Sequence, residues 1–358
     1  MLREAAMLRV SSNTMTSRNA RLIEETLGHF PAGWRLGPID YREPAFDGVV
    51  ELRAPDGKTS RFVFAFKRGV EPRDVDRLSK LLSVPPASHP LLLAPYLTPR
   101  TRELLRDRGI SHADGTGNLW IAAGSVYIER LGTTGNPSTR RANADEERTP
   151  RRSLRGPSTA RVIRYLCDVA GPLRVRAIAR ATGVDPGSVS RIIHLLESEA
   201  YVRRDDFSIV GVDWKGLIVR WGEDLAKDRV SESYLAPRGL DNVYSHLKRG
   251  RLRYALTGSA AATLIAPAAV AGTLDIYVDD FDAAARALAL RDGAGVGNVR
   301  LIEAFDPVVF DRTNDSGELV LAAPSQVAAD LVTLPHRSAD ELAALFDWME
   351  QNGPGRRR

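Results

Sequence analysis

The strongest constraint on this chain lies in residues 159–212, where three helical periods are separated by turn residues and followed by two short alternating runs. In the first segment Val162, Ile163, Leu166 and Val169 share one helical face, and Gly171-Pro172 ends it. Residues 173–181 read as a second helix closed by Thr182-Gly183. Asp185 can accept hydrogen bonds from the first amides of a third helix, and Pro186 presets its first φ. Within that helix Val189, Ile192, Leu195 and Leu196 recur at three- and four-residue steps, which predicts a core-facing stripe. Gly187, Ser188, Ser190, Arg191 and His194 are left facing outward. Cys167 lies beside the apolar face of the first helix and reads as a small buried hydrophobe rather than a redox sensor.

Residues 201–210 continue as two short strands around Asp205-Asp206, with Arg203 and Arg204 on the first. The arrangement resembles a winged helix-turn-helix of the MarR-like kind. Small donors and an arginine near the start of the third helix suit a recognition helix in a major groove. On this reading Ser188, Ser190, Arg191 and His194 meet base edges, while Arg203 and Arg204 hold flanking phosphates. A small three-helix unit of another kind shares the same period, and some winged helices bind protein rather than DNA.

Charge points the same way. The chain carries +5 overall, yet residues 131–204 contain 14 arginines, no lysine and seven acids, a net of +7. A concentrated basic segment is a footprint for polyanions. Residues 131–158 are almost devoid of apolar side chains and read as a flexible linker, in which Arg148, Arg151, Arg152 and Arg155 form a basic arm toward the DNA backbone or minor groove. The plainer reading of this run is a solvated linker. With 358 residues, two to three domains are expected. No apolar run is long enough for a transmembrane helix, and the first residues lack a secretory apolar core. One cysteine excludes an intrachain disulfide and a Cys-based zinc site. The six histidines are scattered, so neither a metal nor a cofactor is expected. A cytoplasmic protein, nucleoid-associated when bound to DNA, follows as the expectation.

Residues 1–130 alternate helix and strand. Residues 49–53 and 61–67 read as strands joined by an Asp56-Gly57 hairpin, then a helix at 72–82, a buried strand at 91–94 and a helix at 99–108. This order resembles the restriction-endonuclease-like fold, whose metal chemistry needs one acid on the second strand and an acid-x-Lys on the third. Asp47, or less plausibly Glu51, stands for the first acid and Lys67 for the lysine, but Ala65 replaces the acid two residues earlier. Glu24 or Glu25 of the first helix could substitute for it. A degenerate nuclease fold is therefore expected. The run Asp114-Gly115-Thr116-Gly117-Asn118 reads as a tight structural turn before a ligand loop.

Residues 213–352 mix helices and strands again, ahead of a basic tail at 353–358. Residues 254–261 run from strand to helix through Gly258-Ser259, and a later strand carries Asp275 and Asp279. Nucleotidyltransferases pair such a turn with Asp-x-Asp. Here Tyr277 takes the second acid's place, so a non-catalytic nucleotidyltransferase-like domain is expected. Ser325 reads as a helix cap, with Gln326 and Asp330 on one face lining the same cleft or simply solubilising the helix.

The whole is thus expected to be a multidomain α/β chain: a restriction-endonuclease-like α/β domain, a linker, a central winged helix-turn-helix at 159–212, and a C-terminal nucleotidyltransferase-like α/β domain. The order of these blocks resembles the AbiEi-like antitoxin and transcriptional regulator family of type IV toxin–antitoxin systems. The residues carrying it are Leu97-Thr98-Pro99-Arg100, Gly109-Ile110, residues 114–118, the recognition helix and wing, residues 255–261, Ile276-Tyr277-Val278-Asp279 and Ala323-Pro324-Ser325-Gln326. The resemblance implies a regulator of its own promoter on double-stranded DNA, paired with a nucleotidyltransferase-type toxin. The nuclease-like block departs from it. A homodimer reading two half-sites is a further expectation. The rival is a metal-dependent nuclease through Asp47 and Lys67, or a nucleotidyltransferase through Ser259, Asp275 and Asp279.

Overall fold

The computed structural model describes residues 17–28, 30–41, 46–82, 84–124, 126–132, 153–250, 252–267, 272–293, 295–316, 319–333 and 338–353. The chain divides into two compact units, Met1–Pro150 and Arg151–Arg358.

The first unit begins with helix α1 (Ser17–Leu27) and builds a seven-stranded sheet in chain order: β1 (Arg35–Leu36), β2 (Gly48–Arg53), β3 (Thr59–Phe66), β4 (His89–Ala94), β5 (Ser111–Asp114), β6 (Leu119–Ala123) and β7 (Val126–Arg130). The Asp56-Gly57 turn, with Gly57 at φ +86°, returns β3 antiparallel to β2. Helix α2 (Val75–Leu81) then carries the chain back, so β4 runs parallel to β3, and α3 (Pro99–Asp107) does the same for β5. Thr98 starts α3 by accepting the Thr101 amide at 3.1 Å, with Pro99 next to it. Strand β4 is the fourth of the seven and is covered on both faces. Leu91 and Leu93 join the apolar cluster containing Ile23 of α1, while Leu92 and Ala94 join that of Leu78 and Leu105.

Residues 114–118 form a closed structural turn. The fully buried Asp114 carboxylate accepts the Thr116 and Asn118 amides, the Thr116 hydroxyl, the Asn118 side-chain amide and the Leu97 amide. Little acceptor capacity is left for a ligand.

The second unit opens with α4 (Pro157–Asp168), β8 (Leu173–Arg174), α5 (Val175–Thr182), α6 (Pro186–Ser198), β9 (Val202–Asp205) and β10 (Ser208–Val212). Two details differ from the sequence reading. Leu173 and Arg174 leave the predicted helix and pair with Ile209 and Ser208 as the third strand of the wing sheet, ordered β8-β10-β9. In α6 Ile193 is fully buried with Val189 and Leu196, whereas Ile192 and Leu195 are half-buried at the edge of the core.

Helix α7 (Trp214–Leu225), whose first turn is capped by Asp213, leads to a second seven-stranded sheet. Its strands are β11 (Ser231–Leu235), β12 (Tyr254–Thr257), β13 (Leu274–Val278), β14 (Arg291–Asp292), β15 (Val299–Glu303), β16 (Asn314–Ser316) and β17 (Leu319–Leu321), in the order β14-β11-β15-β13-β12-β17-β16. Helices α8 (Leu240–Arg249), α9 (Gly258–Ile265), α10 (Phe281–Ala287), α11 (Pro324–Leu331) and α12 (Ser338–Asn352) complete it. Every residue of α11 from Ser325 to Leu331 is buried, and α7 approaches it so closely that a Cβ on Gly222 would strike the Ala329 carbonyl. One apolar cluster runs from Leu154 through the winged helices to Met349. The sequence reading separates these blocks at residue 212, whereas here they share a core. Cys167 is buried in that core, and burial pushes its thiol well above the usual range. No helix among the described residues is long and apolar enough to cross a membrane.

Candidate nucleic-acid interface and the two acidic centres

Helices α5 and α6 are joined through Gly183, whose φ of +68° ends α5 in the left-handed region. Asp185 caps α6 by accepting the Ser188 amide at 3.0 Å, and Pro186 occupies the first turn. The buried side of α6 is Val189, Ile193 and Leu196. Gly187, Ser190, Arg191 and His194 are exposed at i, i+3, i+4 and i+7, on one face. Arg191 donates to the Ser188 hydroxyl at 3.0 Å, so these two predicted contact residues form a joined polar surface.

The arginines of the winged unit fall into two groups. Arg174, Arg176, Arg180, Arg191 and Arg203 are exposed and form no ion pair among the described residues. The rest are occupied. Arg204 lies 3.5 Å from Glu197, and Arg155 lies 3.1 Å from Asp228. Arg161 donates twice to Asp306 at 2.9 Å. Arg164 is fully buried and donates to the Val308 and Asp311 carbonyls, with burial lowering its pKa. Arg174, Arg176 and Arg180 were missed as candidate contacts. Their signal was their placement every second and fourth residue along one short segment ahead of the recognition helix. Arg148, Arg151 and Arg152 lie outside the described residues. The wing turns at Asp206, with φ +50°, and Phe207, which is 82% exposed. That tip carries Asp205 and Asp206 and is therefore acidic.

The nuclease-like candidates have structural partners. Asp47 accepts the Phe66 amide at 2.8 Å, fixing the end of β3, and the backbone of Lys67 donates to the Leu93 carbonyl at 2.9 Å. Ala65 is buried where a metal-binding acid is needed, Glu25 is bound to Arg21, and Glu51 is exposed.

In the C-terminal sheet the acids are also engaged. Asp275 on β13 is 3% exposed and accepts from Arg300 at 2.7 Å. Burial raises its pKa, partly offset by Arg300. Gly258 at φ +60° presses against this carboxylate, with no room for a Cβ. Asp330 from α11 binds the Thr257 hydroxyl at 2.5 Å, the Tyr277 hydroxyl at 2.9 Å and Arg229 at 2.7 Å. Burial works against the Arg229 cation, but Asp330, Tyr277 and Asp275 together hold its pKa above the ordinary value. Burial and Asp330 push the Tyr277 phenol well up. Asp279 and Ser259 do not join this group. Asp279 is exposed beside Arg253 at 3.6 Å, and the Ser259 hydroxyl donates to Glu341 at 2.6 Å. Ser325 does not cap α11; that position is Ala323. Two carboxylates thus face two guanidiniums, a balanced buried cluster rather than a cation site. Among the described residues no group of three or more His, Cys, Asp or Glu side chains is arranged to hold a metal ion.

A left-handed glycine turn, a side-chain-capped second helix and a three-stranded antiparallel sheet define a winged helix-turn-helix unit. The MarR family model matches residues 156–206, from the start of α4 into the wing. This match supports a DNA-binding transcriptional regulator. No curated protein and no solved structure matches the chain.

Proposed function

We propose that this protein is a sequence-reading repressor or activator of its own promoter, an autoregulating antitoxin whose two flanking blocks are retired restriction-endonuclease-like and nucleotidyltransferase-like domains. The observation that carries the DNA-binding part is the exposed face of α6, with Arg191 on it, beside four further arginines without an ion pair, in a unit whose remaining described arginines are matched to acids or carbonyls. Ser190, Arg191 and His194 read base edges, with Ser188 orienting Arg191. Arg174, Arg176, Arg180 and Arg203 hold phosphates, and the basic arm at Arg148, Arg151 and Arg152 adds backbone contacts. The antitoxin role rests on the resemblance in block order and implies a nucleotidyltransferase-type toxin as protein partner. A cytoplasmic homodimer on two half-sites completes the reading.

The test is anisotropy titration of the purified protein with its own upstream DNA across a salt series. Neutralising about six phosphates gives a slope of log K on log salt near −5. Binding to upstream DNA that is no tighter than to random DNA, or a flat salt response, removes the regulator reading. Toxicity relieved by co-expression of the chain with a neighbouring nucleotidyltransferase tests the antitoxin part separately.

A further inference from the structure

A bare sheet edge presents a row of amides and carbonyls that pairs readily with another chain, so proteins keep their edges short or charged. Among the described residues the edge strands β1, β8 and β14 have two residues and β16 has three, while β9 carries Arg203, Arg204 and Asp205. Strand β7 is different. It has five residues in unbroken register with β6 and ends the first seven-stranded sheet. Tyr127 on it is 62% exposed, and Leu131 just beyond it is 72% exposed.

Alternation along an antiparallel pair decides which backbone groups of β7 are spare. Ala122 stands opposite Tyr127. Its amide donates to the Ser111 hydroxyl at 3.2 Å and its carbonyl accepts from that hydroxyl at 3.5 Å, both on the β5 side. The Ala122–Tyr127 pair is therefore of the non-hydrogen-bonded kind, as is Trp120–Glu129 two residues along. Val126, Ile128 and Arg130 bond to β6, and the backbone groups of Tyr127 and Glu129 point away from the sheet. The far end of the strand is pinned, because the Gly132 amide donates to Asn118 Oδ1 at 3.0 Å.

A second copy of β7 closes these groups in one register. Turned antiparallel about Ile128, Tyr127 meets Glu129 of the second copy, and Glu129 meets its Tyr127. Each such pair exchanges two backbone hydrogen bonds. The register is complementary in charge. Glu129 faces a phenol rather than an acid, and its carboxylate already accepts from Arg106 at 2.6 Å and from Tyr127 at 2.7 Å. Sliding one strand by two residues either sets Glu129 against Glu129, which repels, or runs the pairing into the turn at Gly124, where φ is +60°.

We infer that β7 joins two copies of this chain edge to edge, continuing the first sheet across a twofold axis at Ile128. The pairing gives the homodimer of the regulator reading its surface, yet it stands on the first unit alone and needs no DNA.

The full-length chain is followed without DNA by sedimentation velocity over a concentration series, and a monomer–dimer equilibrium is expected. Tyr127→Pro removes an outward amide and leaves the β6 ladder intact. The twofold doubles that loss, so the dimer Kd should rise at least about tenfold. Tyr127→Ala keeps the amide and should raise it less than about threefold. Cross-linking reads the register. Ile128→Cys puts its thiol beside that of the second copy in a non-hydrogen-bonded pair, with Cα atoms about 4.5 Å apart and within disulfide reach. Mild oxidation should give a covalent dimer that Tyr127→Cys, offset across the axis, does not form; Cys167 is buried. A native chain that stays monomeric overturns the pairing, and an extended peptide of another protein is then the occupant of the edge. A dimer that Tyr127→Pro leaves intact, or that Ile128→Cys captures no better than Tyr127→Cys, overturns it as well. If Tyr127→Pro unfolds the first unit, the cross-linking contrast decides. A β7 dimer that binds no DNA removes the regulator reading and leaves the pairing, and a monomer that binds DNA does the reverse.

Discussion

Arg161 and Asp306, 145 positions apart, meet through two parallel hydrogen bonds of 2.9 Å, from Nε and Nη2 of the guanidinium to the two carboxylate oxygens. One turn further along α4, Arg164 enters the C-terminal fold completely and donates to two backbone carbonyls. The two contacts are not of equal weight. Arg161 is 35% exposed, so solvent screens its pair, whereas Arg164 is fully buried, and removing it takes the side-chain donor from the Asp311 carbonyl and one of two donors from the Val308 carbonyl. Arg164→Met is expected to cost about 2–4 kcal/mol, and Arg161→Ala less than about 1.5 kcal/mol. Urea midpoints of the two variants decide the order, and equal losses would contradict it.

The two groups of arginines make a second prediction, read from salt dependence. Arg176→Gln with Arg180→Gln removes two unpaired exposed cations and should reduce the magnitude of the log K against log salt slope by about 1.8. Arg204→Gln should reduce it much less, because Glu197 already neutralises that side chain. A larger change from Arg204→Gln than from the pair would redraw the footprint around the wing.

Acid should loosen the first unit through one histidine. His112 is 1% exposed, stacked on Trp120, and hydrogen-bonded through Nδ1 to the Ile110 carbonyl. Burial depresses its pKa from 6.5 to about 4. The unfolded chain therefore binds more protons than the folded one between these values, and stability falls as pH drops through that window. The stabilisation is fully present above about pH 6.5, and roughly 2 kcal/mol is lost by pH 5. Chemical unfolding of His112→Gln at pH 7 and pH 5 checks this, since the variant should lose most of the pH dependence.

Divalent cations should leave both acidic centres untouched. Asp275 and Asp330 are committed to Arg300 and Arg229, and Asp47 holds a backbone amide. Millimolar Mg2+ or Mn2+ is expected to shift Tm by less than about 1 °C and to support no turnover of DNA or nucleoside triphosphate. Metal-dependent turnover abolished by Asp47→Ala or Asp275→Ala would reinstate the enzyme reading.

Features set by neighbours in the chain could be read from the sequence. Asp185-Pro186, Thr98-Pro99 and Asp56-Gly57 each act within four residues, and the structure places a helix start or hairpin at each. What failed depended on distant partners. Leu173 and Arg174 carry helical periodicity, but Ile209 and Ser208 supply a strand to pair with, and a two-residue strand leaves no alternation to detect. Ile193 displaces Ile192 because the core touches α6 a fraction of a turn away from where the apolar count centres. The cluster of Arg229, Asp275, Arg300 and Asp330 joins four elements, and nothing local at any of them signals that each acid has its own guanidinium. Arg155 looks like part of a free basic arm until Asp228 arrives from 73 positions away.

The burial of Arg164 has one more implication, for how this chain can be taken apart. A segment cut after Val212 would keep the helices and wing but lose the Val308 and Asp311 carbonyls that receive Arg164, and would bare to water apolar side chains that share a core with the C-terminal fold. The winged unit is therefore a poor candidate for transplantation into another protein, and the backbone path of residues 308–311 is held by a side chain that belongs to the winged half.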